Sequence, residues 1–284
     1  MSMRERCCLL VVEELSKSYE VPTGRGGRID VLERVNLCVK SGQLACLLGP
    51  SGCGKTTLLN IIAGFERPTS GCVLVNNREV AGPGFDRGVV FQEDALFPWL
   101  TVRDNIGYGL VRAGNSRDEI TKKVHRFIQL VGLEGFPDFY PDQLSGGMKQ
   151  RVALARVLVN APDALLMDEP FAALDAQARG AMQNFLLEVW GAMPQTILFI
   201  THDVDEALIL SDRIYVMTAF PGCILEEVPV DLPRPRTVEV MATPAFFEIK
   251  RRLVTLLERA GAGKRPLNII TACPIESKPA SISQ

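Results

Sequence analysis

Gly49-Pro50-Ser51-Gly52-Cys53-Gly54-Lys55-Thr56-Thr57 fits the pattern G-x-x-x-x-G-K-[ST] at every fixed position. The apolar run Leu44–Leu48 leads into it, and a helix-like segment, Lys55–Ala63, leads away. Strand, glycine loop and helix in that order form a cradle for phosphate. Glycines let successive backbone N–H groups turn inward, and the free N-terminus of the helix adds partial positive charge. Lys55 is then expected to reach the β- and γ-phosphates of a nucleotide, and the Thr56 hydroxyl to ligate Mg²⁺.

Working outward, the chain has 284 residues, 47% hydrophobic and 23% charged, with a formal net charge of -2. This is a globular composition with material for a large core. The near-neutral balance speaks against a nucleic-acid partner. No apolar run approaches the ~20 residues needed to span a bilayer. The run at 7–12 is too short for a signal-peptide core and is followed at once by Glu13 and Glu14. The expectation is a cytoplasmic protein whose work at a membrane goes through a partner. Eight cysteines lie scattered without a Cys-x-x-Cys pair, so neither a metal cluster nor a disulfide framework is expected. Cys38, Cys46 and Cys72 read as small core residues in a reducing compartment.

Residues 11–19 read as a first strand ending on Tyr19, an aromatic in a hydrophilic stretch. Two readings stand open: a half-buried strand-end ring, or a platform for a nucleotide base. Residues 23–28 read as a hairpin tip, and Val35, Leu37 and Val39 alternate as a strand with one buried face. Gly64 stops the helix after the phosphate loop. A strand at 71–75 ends at the Asn76-Asn77 turn. These pieces suggest an antiparallel layer beside the nucleotide core. A short buried strand at 88–91 carries Gln92 at its tip, near the phosphate site. Leu96, Phe97, Pro98, Trp99 and Leu100 follow, more apolar surface than a turn requires, and read as a docking surface for a partner helix. Ser116 and Glu119 make a capping box before an amphipathic helix on which His125 is a solvated surface residue.

Ser145-Gly146-Gly147 precedes a long helix spanning 148–159 and again offers free N–H groups to an anion. The apolar strand at 164–167 ends on Asp168 and Glu169. Asp168 is suited to hold Mg²⁺ through water, and Glu169 to polarise an attacking water. Asp175 caps a helix with Met182, Phe185, Leu186 and Val189 on one face. The strand at 196–200 leads into Thr201-His202-Asp203, where His202 at a strand tip is placed to contact a terminal phosphate. Residues 220–236 are proline-punctuated and irregular, Thr243-Pro244 opens a last helix, and residues 261–284 read as a flexible tail.

Six signals in order (the glycine loop, Gln92, the Leu144-to-Gln150 stretch, Ala164-to-Glu169, Ala173-Leu174-Asp175 and His202) resemble the ATP-binding subunit of an ABC transporter over residues 8–260. The resemblance implies an α/β P-loop NTPase fold: a RecA-like parallel-sheet core, an antiparallel β layer, and a helical subdomain at about 93–160 within one domain, 1–260. It implies ATP and Mg²⁺ as cofactors and a head-to-tail homodimer that sandwiches ATP. In that carry-over Tyr19 stacks on adenine, and Gly49, Pro50, Ser51, Gly52, Cys53, Gly54, Lys55, Thr56 and Thr57 cradle the phosphates. Thr56, Gln92 and Asp168 make the Mg²⁺ site, Glu169 is the general base, and His202 holds the γ-phosphate. Ser145, Gly146 and Gly147 act on the other copy's ATP, and Asp175 communicates across the interface. Residues 93–100 would receive a coupling helix from an integral membrane permease, which a periplasmic or extracellular solute-binding protein serves in turn, with this chain peripheral on the cytoplasmic face of the plasma (inner) membrane. Within the family, residues 82–99 and 168–175 look like the taurine, sulfonate and nitrate importers, taurine import above all. Met148 departs from the Gln common at that place in the signature, away from the phosphate contacts.

Three other classes fit less well. ABC ATPases acting on DNA or ribosomes carry paired cassettes or basic arms that this sequence lacks. GTPases need an Asn-Lys-x-Asp guanine-reading sequence, and a kinase leaves Ser145-Gly146-Gly147 unexplained. A subunit that binds ATP without turnover would not need Lys55, Asp168, Glu169 and His202 together. Cys53, inside the loop, is expected to make activity sensitive to thiol alkylation, with ATP protecting.

Overall fold

The structure is a computed structural model and describes residues 8–21, 27–93 and 95–261. The predicted tail therefore lies outside the described residues apart from its first residue, and so does most of the hairpin tip at 23–28. Two sheets organise the chain. An antiparallel layer has the order β2 (Gly27–Lys40), β1 (Cys8–Val21), β4 (Ser70–Val75), β5 (Arg78–Glu79). A six-stranded sheet has the order β10 (Ile224–Pro229), β9 (Arg213–Met217), β3 (Leu44–Leu48), β8 (Thr196–Thr201), β7 (Ala164–Asp168), β6 (Arg87–Val90). Every pairing in it is parallel except that of the edge strand β10 with β9.

Both faces of the parallel sheet are covered, which is why its central strands are continuous apolar runs and do not alternate with polar residues. Along β3, Leu44, Cys46 and Leu48 enter one core, and Ala45 and Leu47 enter the other. Leu165 and Met167 oppose Leu166 on β7 in the same way, as do Ile197 and Phe199 against Leu198 and Ile200 on β8. One core lies under the antiparallel layer and α1 (Lys55–Ala63). The other is closed by α2 (Val102–Arg112), α3 (Arg117–Leu130), α4 (Gly146–Leu158), α5 (Ala176–Ala192), α6 (Val204–Leu210) and α8 (Pro244–Gly261), with a short α7 (Val238–Met241) before the last. No helix among the described residues is long and apolar enough to cross a membrane.

Local signals explain many of the boundaries. Gly64 ends α1 in the left-handed region at φ 82, and Asn76 and Asn77 turn the β4–β5 hairpin at φ 49 and 60. Ser116 and Glu119 form the expected capping box, and His125 is exposed on α3. Asp175 caps α5, accepting from the Ala178 N–H at 2.8 Å.

Several expectations are corrected. α4 starts at Gly146, two residues early, because the Ser145 hydroxyl already accepts from the Met148 N–H at 3.4 Å. The strand at 88–91 is the edge strand β6, ending at Val90; Phe91 is 40% exposed, and only Val90 is buried. Cys38 is not a free core residue: the β1–β2 register brings it to Cys8, with Cα atoms 5.8 Å apart, and the two form a disulfide. Cys46 is buried as expected, whereas Cys72 is only half-buried. The 220–236 stretch contains β10, hidden in the sequence by the prolines around it.

Candidate functional site

Parallel pairing sets the ends of four strands side by side. Leu48 pairs with Thr201, Asp168 with Ile200, and Val90 with Met167, so the residues following β3, β8, β7 and β6 emerge at one edge. Ligand sites of open α/β sheets lie outside the carboxyl ends of strands. Here that edge carries Gly49 to Thr57, His202, Glu169 and Gln92.

The glycine loop packs on its own lysine. Lys55 is 6% exposed, and its Nζ donates to the carbonyl oxygens of Gly49 and Pro50 at 2.9 Å each. Gly54 caps α1 at φ 98 with no side chain on the helix N-terminus, so the first N–H groups of α1 face outward. A Cβ at Gly54 would sit 2.8 Å from Leu32. Thr56 is exposed and Thr57 half-buried. Cys53 lies beneath the loop at 1% exposure, and burial pushes its thiol above the ordinary range. Both features slow alkylation of this thiol, against the expectation of a reactive cysteine.

Asp168 lies against Thr56. Burial raises its carboxyl, while the Thr56 hydroxyl and the nearby Lys55 charge oppose that shift. A hydroxyl beside a carboxylate supplies hard oxygen donors and fits Mg²⁺. Among the described residues no group of three or more His, Cys, Asp or Glu forms a metal cage, so most ligands would come from phosphate and water, as Mg²⁺ prefers. Glu169 has φ 44, a left-handed backbone that is costly for a glutamate and recurs at functional sites. Its N–H donates to Ile200 O at 3.0 Å, and its Oε2 lies 2.9 Å from His202 Nδ1. Tyr19 is 38% exposed on β1, with Thr57 and Glu66 beside its hydroxyl and Lys17 Nζ 4.9 Å from its ring centroid. The ring therefore stands next to the helix that leaves the glycine loop. Gln92 is exposed two residues past β6.

Ser145 and Gly146 are exposed at the start of α4, on the helical side of the molecule. Their link to the acidic turn is indirect: buried Gln150 donates from Nε2 to Pro170 O at 2.8 Å. The apolar stretch at 96–100 divides. Leu96 packs inward, while Trp99 is 70% exposed, and Phe97 touches Trp99 and Tyr108 at 5.7 and 4.6 Å between centroids. With Phe85 and Phe91, Phe97 and Tyr108 line a cavity of about 380 Å³. Asn105, which the sequence reading passed over, holds this loop from within. It is fully buried and bonds Phe97 N and the carbonyls of Phe97, Leu100 and Thr101. A larger cavity, about 720 Å³ between α2 and α3, is mainly apolar, and none of Lys55, Thr56, Asp168, Glu169 or His202 lines it.

A glycine loop on a helix N-terminus, a threonine–aspartate pair and a glutamate–histidine pair, all at one sheet edge, define a phosphate-loop nucleotide hydrolase. The ABC transporter family model matches residues 32–172. An uncharacterised ABC transporter ATP-binding protein of Methanocaldococcus jannaschii is 52% identical over 88% of this chain and 91% of its own. The taurine import ATP-binding protein of Pelagibacter ubique is 45% identical over 87% and 94%, and the nitrate import ATP-binding protein of Synechocystis is 43% identical over 86% and 94%. A solved ATP-binding cassette, a dimer described as a post-hydrolysis state with ADP and Pi, superposes with a TM-score of 0.66 at 32% identity, covering 78% of this chain and 98% of that one. The chain belongs to the ABC transporter family, as one of its ATP-hydrolysing cassettes.

Proposed function

We propose that the chain powers an importer for a small anionic or zwitterionic solute, taurine or another alkanesulfonate being favoured. It works as a head-to-tail homodimer on the cytoplasmic face of the membrane, beneath a separate permease that a solute-binding protein loads. The observation that supports this most is the split between two halves of one site. Lys55, Thr56, Asp168, Glu169 and His202 share the sheet edge, whereas Ser145 and Gly146 are exposed and Gly147 half-buried at the start of α4. An exposed, glycine-rich helix N-terminus suits the phosphates of a second copy's nucleotide.

In this reading Lys55 and the α1 N-terminus hold the β- and γ-phosphates, and Thr56, Asp168 and Gln92 hold Mg²⁺, which when bound neutralises developing phosphate charge. Glu169 takes the proton of the attacking water, and His202, fixed by its 2.9 Å contact with Glu169, steadies the γ-phosphate. Tyr19 stacks on adenine. The aromatic cavity behind residues 93–100 receives an apolar helix of the permease. Taurine leads on the likeness of residues 82–99 and 168–175 to the taurine importers and on a taurine import relative at 45% identity, against 43% for the nitrate one. A nitrate or bicarbonate importer is the second reading, on the nitrate-import relative.

The test is ATP turnover by the purified chain beside Glu169→Gln, with size-exclusion chromatography in ATP and Mg²⁺. Turnover in the wild type, a loss of about 10²–10⁴-fold in the variant and an ATP-dependent dimer of that variant are expected. Full activity in Glu169→Gln would sink the assignment of the base. For the cargo, taurine and nitrate are compared as stimulants of ATPase activity in the assembled transporter. Stimulation by nitrate alone would replace the first reading with the second.

A further inference from the structure

Behind the Glu169–His202 pair lies a second polar cluster that none of the roles above uses. A small cavity of about 50 Å³ is lined by Glu169, Phe171, Arg179, His202, Asp203 and Glu206. It has room for a water molecule, and its walls offer the polar partners a water needs. Three carboxylates face it, from the turn after β7, the cap of α6 and α6 itself. Arg179, one turn into α5, is their fixed cation.

Arg179 reaches two segments at once. Its Nη2 donates to Leu174 O at 3.1 Å, inside the Ala173-Leu174-Asp175 turn. Its Nη1 stands 4.0 Å from Asp203 Oδ2. Its Nε is buried and has no partner among the described residues. Asp203 in turn fixes the backbone on both sides of His202. Its N–H donates to Thr201 Oγ1 at 3.0 Å, and its Oδ1 accepts from the N–H groups of Asp205 and Glu206 at 2.8 and 3.1 Å. Glu206, 6% exposed, accepts from Gln183 Nε2 at 3.1 Å and so closes the cluster back onto α5. The imidazole that meets Glu169 is thus carried on a turn whose outer anchor is a guanidinium bound to the Leu174 carbonyl.

We propose that Arg179 is a positioning residue for hydrolysis, setting His202 against Glu169 and tying that pair to the Leu174-Asp175 turn that a second copy contacts. The last clause rests on the head-to-tail reading; the first does not. An approach of the second copy to Asp175 moves the Leu174 carbonyl. A planar guanidinium, shared between that carbonyl and Asp203, transmits the shift to the His202 turn. A displacement on the ångström scale is enough to change the rate of chemistry strongly.

The test uses the full chain with Arg179→Met and Arg179→Lys. Methionine keeps the length and removes the charge. Lysine keeps the charge, but one ammonium does not span both partners. The expected result is a kcat about 10- to 100-fold lower in Arg179→Met, with KM for ATP and Tm unchanged and Arg179→Lys in between. An unchanged kcat in Arg179→Met overturns the assignment. So does a kcat loss shared in full by Arg179→Lys and matched by a fall in Tm, since that is the signature of a merely structural role. Glu169→Gln, with and without Arg179→Met, is run alongside for its ATP-dependent dimer. If Glu169→Gln itself makes no dimer, the head-to-tail reading and the link to Asp175 fall, while the split between kcat and KM still decides whether Arg179 positions His202.

Discussion

The glycine loop at 49–57 and the Ser145-Gly146-Gly147 turn use one device, a helix N-terminus stripped of bulk, in opposite surroundings. The first is closed by its own chain. Lys55 is buried on the Gly49 and Pro50 carbonyls, Thr56 faces Asp168, and Cys53 fills the space below. The second is open. Ser145 and Gly146 are exposed, and a Cβ at Gly147 would meet nothing within 4 Å. Under the proposed head-to-tail reading, a loop that grips phosphate in the free subunit is preorganised by packing, whereas one that completes a partner's site is left bare.

The most forceful way to break this comparison is to mix two inactive variants. Lys55→Ala disables the closed loop and Ser145→Arg the open one, each costing roughly 10²–10³ in kcat. If the two act across an interface, a 1:1 mixture regains up to roughly a quarter of wild-type turnover, because half the dimers then hold one intact composite site. No recovery on mixing would place both loops in one subunit's site.

Stability gives the next contrast. Gly54→Ala forces a side chain to φ 98 and against Leu32, and is expected to cost roughly 2–4 kcal/mol together with ATP binding. Gly147→Ala, in a helical turn with open space around it, should leave Tm unchanged or raise stability by up to about 1 kcal/mol. Thermal denaturation of the two variants checks both; equal destabilisation would show that the second loop is as packed as the first.

The smallest expected effect is chemical. Native Cys53 should alkylate slowly and with little dependence on ATP, because burial covers the thiol and raises its pKa. Ser145→Cys should react on the order of tenfold faster and gain protection from ATP as the dimer closes. Mass spectrometry after timed iodoacetamide treatment reads both rates, and ATP protection of Cys53 instead would reverse the contrast.

What the sequence made legible follows from the range of the forces involved. Leu44–Leu48, Lys55–Ala63 and the caps at Ser116 and Asp175 were readable because strand, glycine loop and cap are each decided within a few residues. The meeting of Thr56 with Asp168 was expected only through the ordered set of motifs, since sheet pairing brings together residues more than a hundred positions apart; the contact of Glu169 with His202, 33 positions on, was not expected and follows from the parallel β7–β8 register. The Cys8–Cys38 bond was missed because it depends on the register of two long strands. α6 was missed as well. Seven residues are too few for a periodic pattern, although Asp203 followed three residues later by Glu206 was a legible cap signal. The prolines at 221–235 hid β10, and they hid the anchoring of Arg236. That buried guanidinium holds the carbonyls of Leu208, Ser211 and Val230, binding the late segment to the end of the helix that begins beside His202.

The strand order has a consequence for synthesis. Among the described residues β3, with all five residues buried, pairs only with β8 and β9, and Leu44 faces Ile197, 153 positions later. On the ribosome the glycine loop therefore emerges on a strand with neither neighbour yet made. At about 5–20 residues per second that interval is roughly 8 to 30 s. The antiparallel layer needs nothing beyond Glu79, so it is free to form first and to shelter one face of β3 while the other waits for its neighbours.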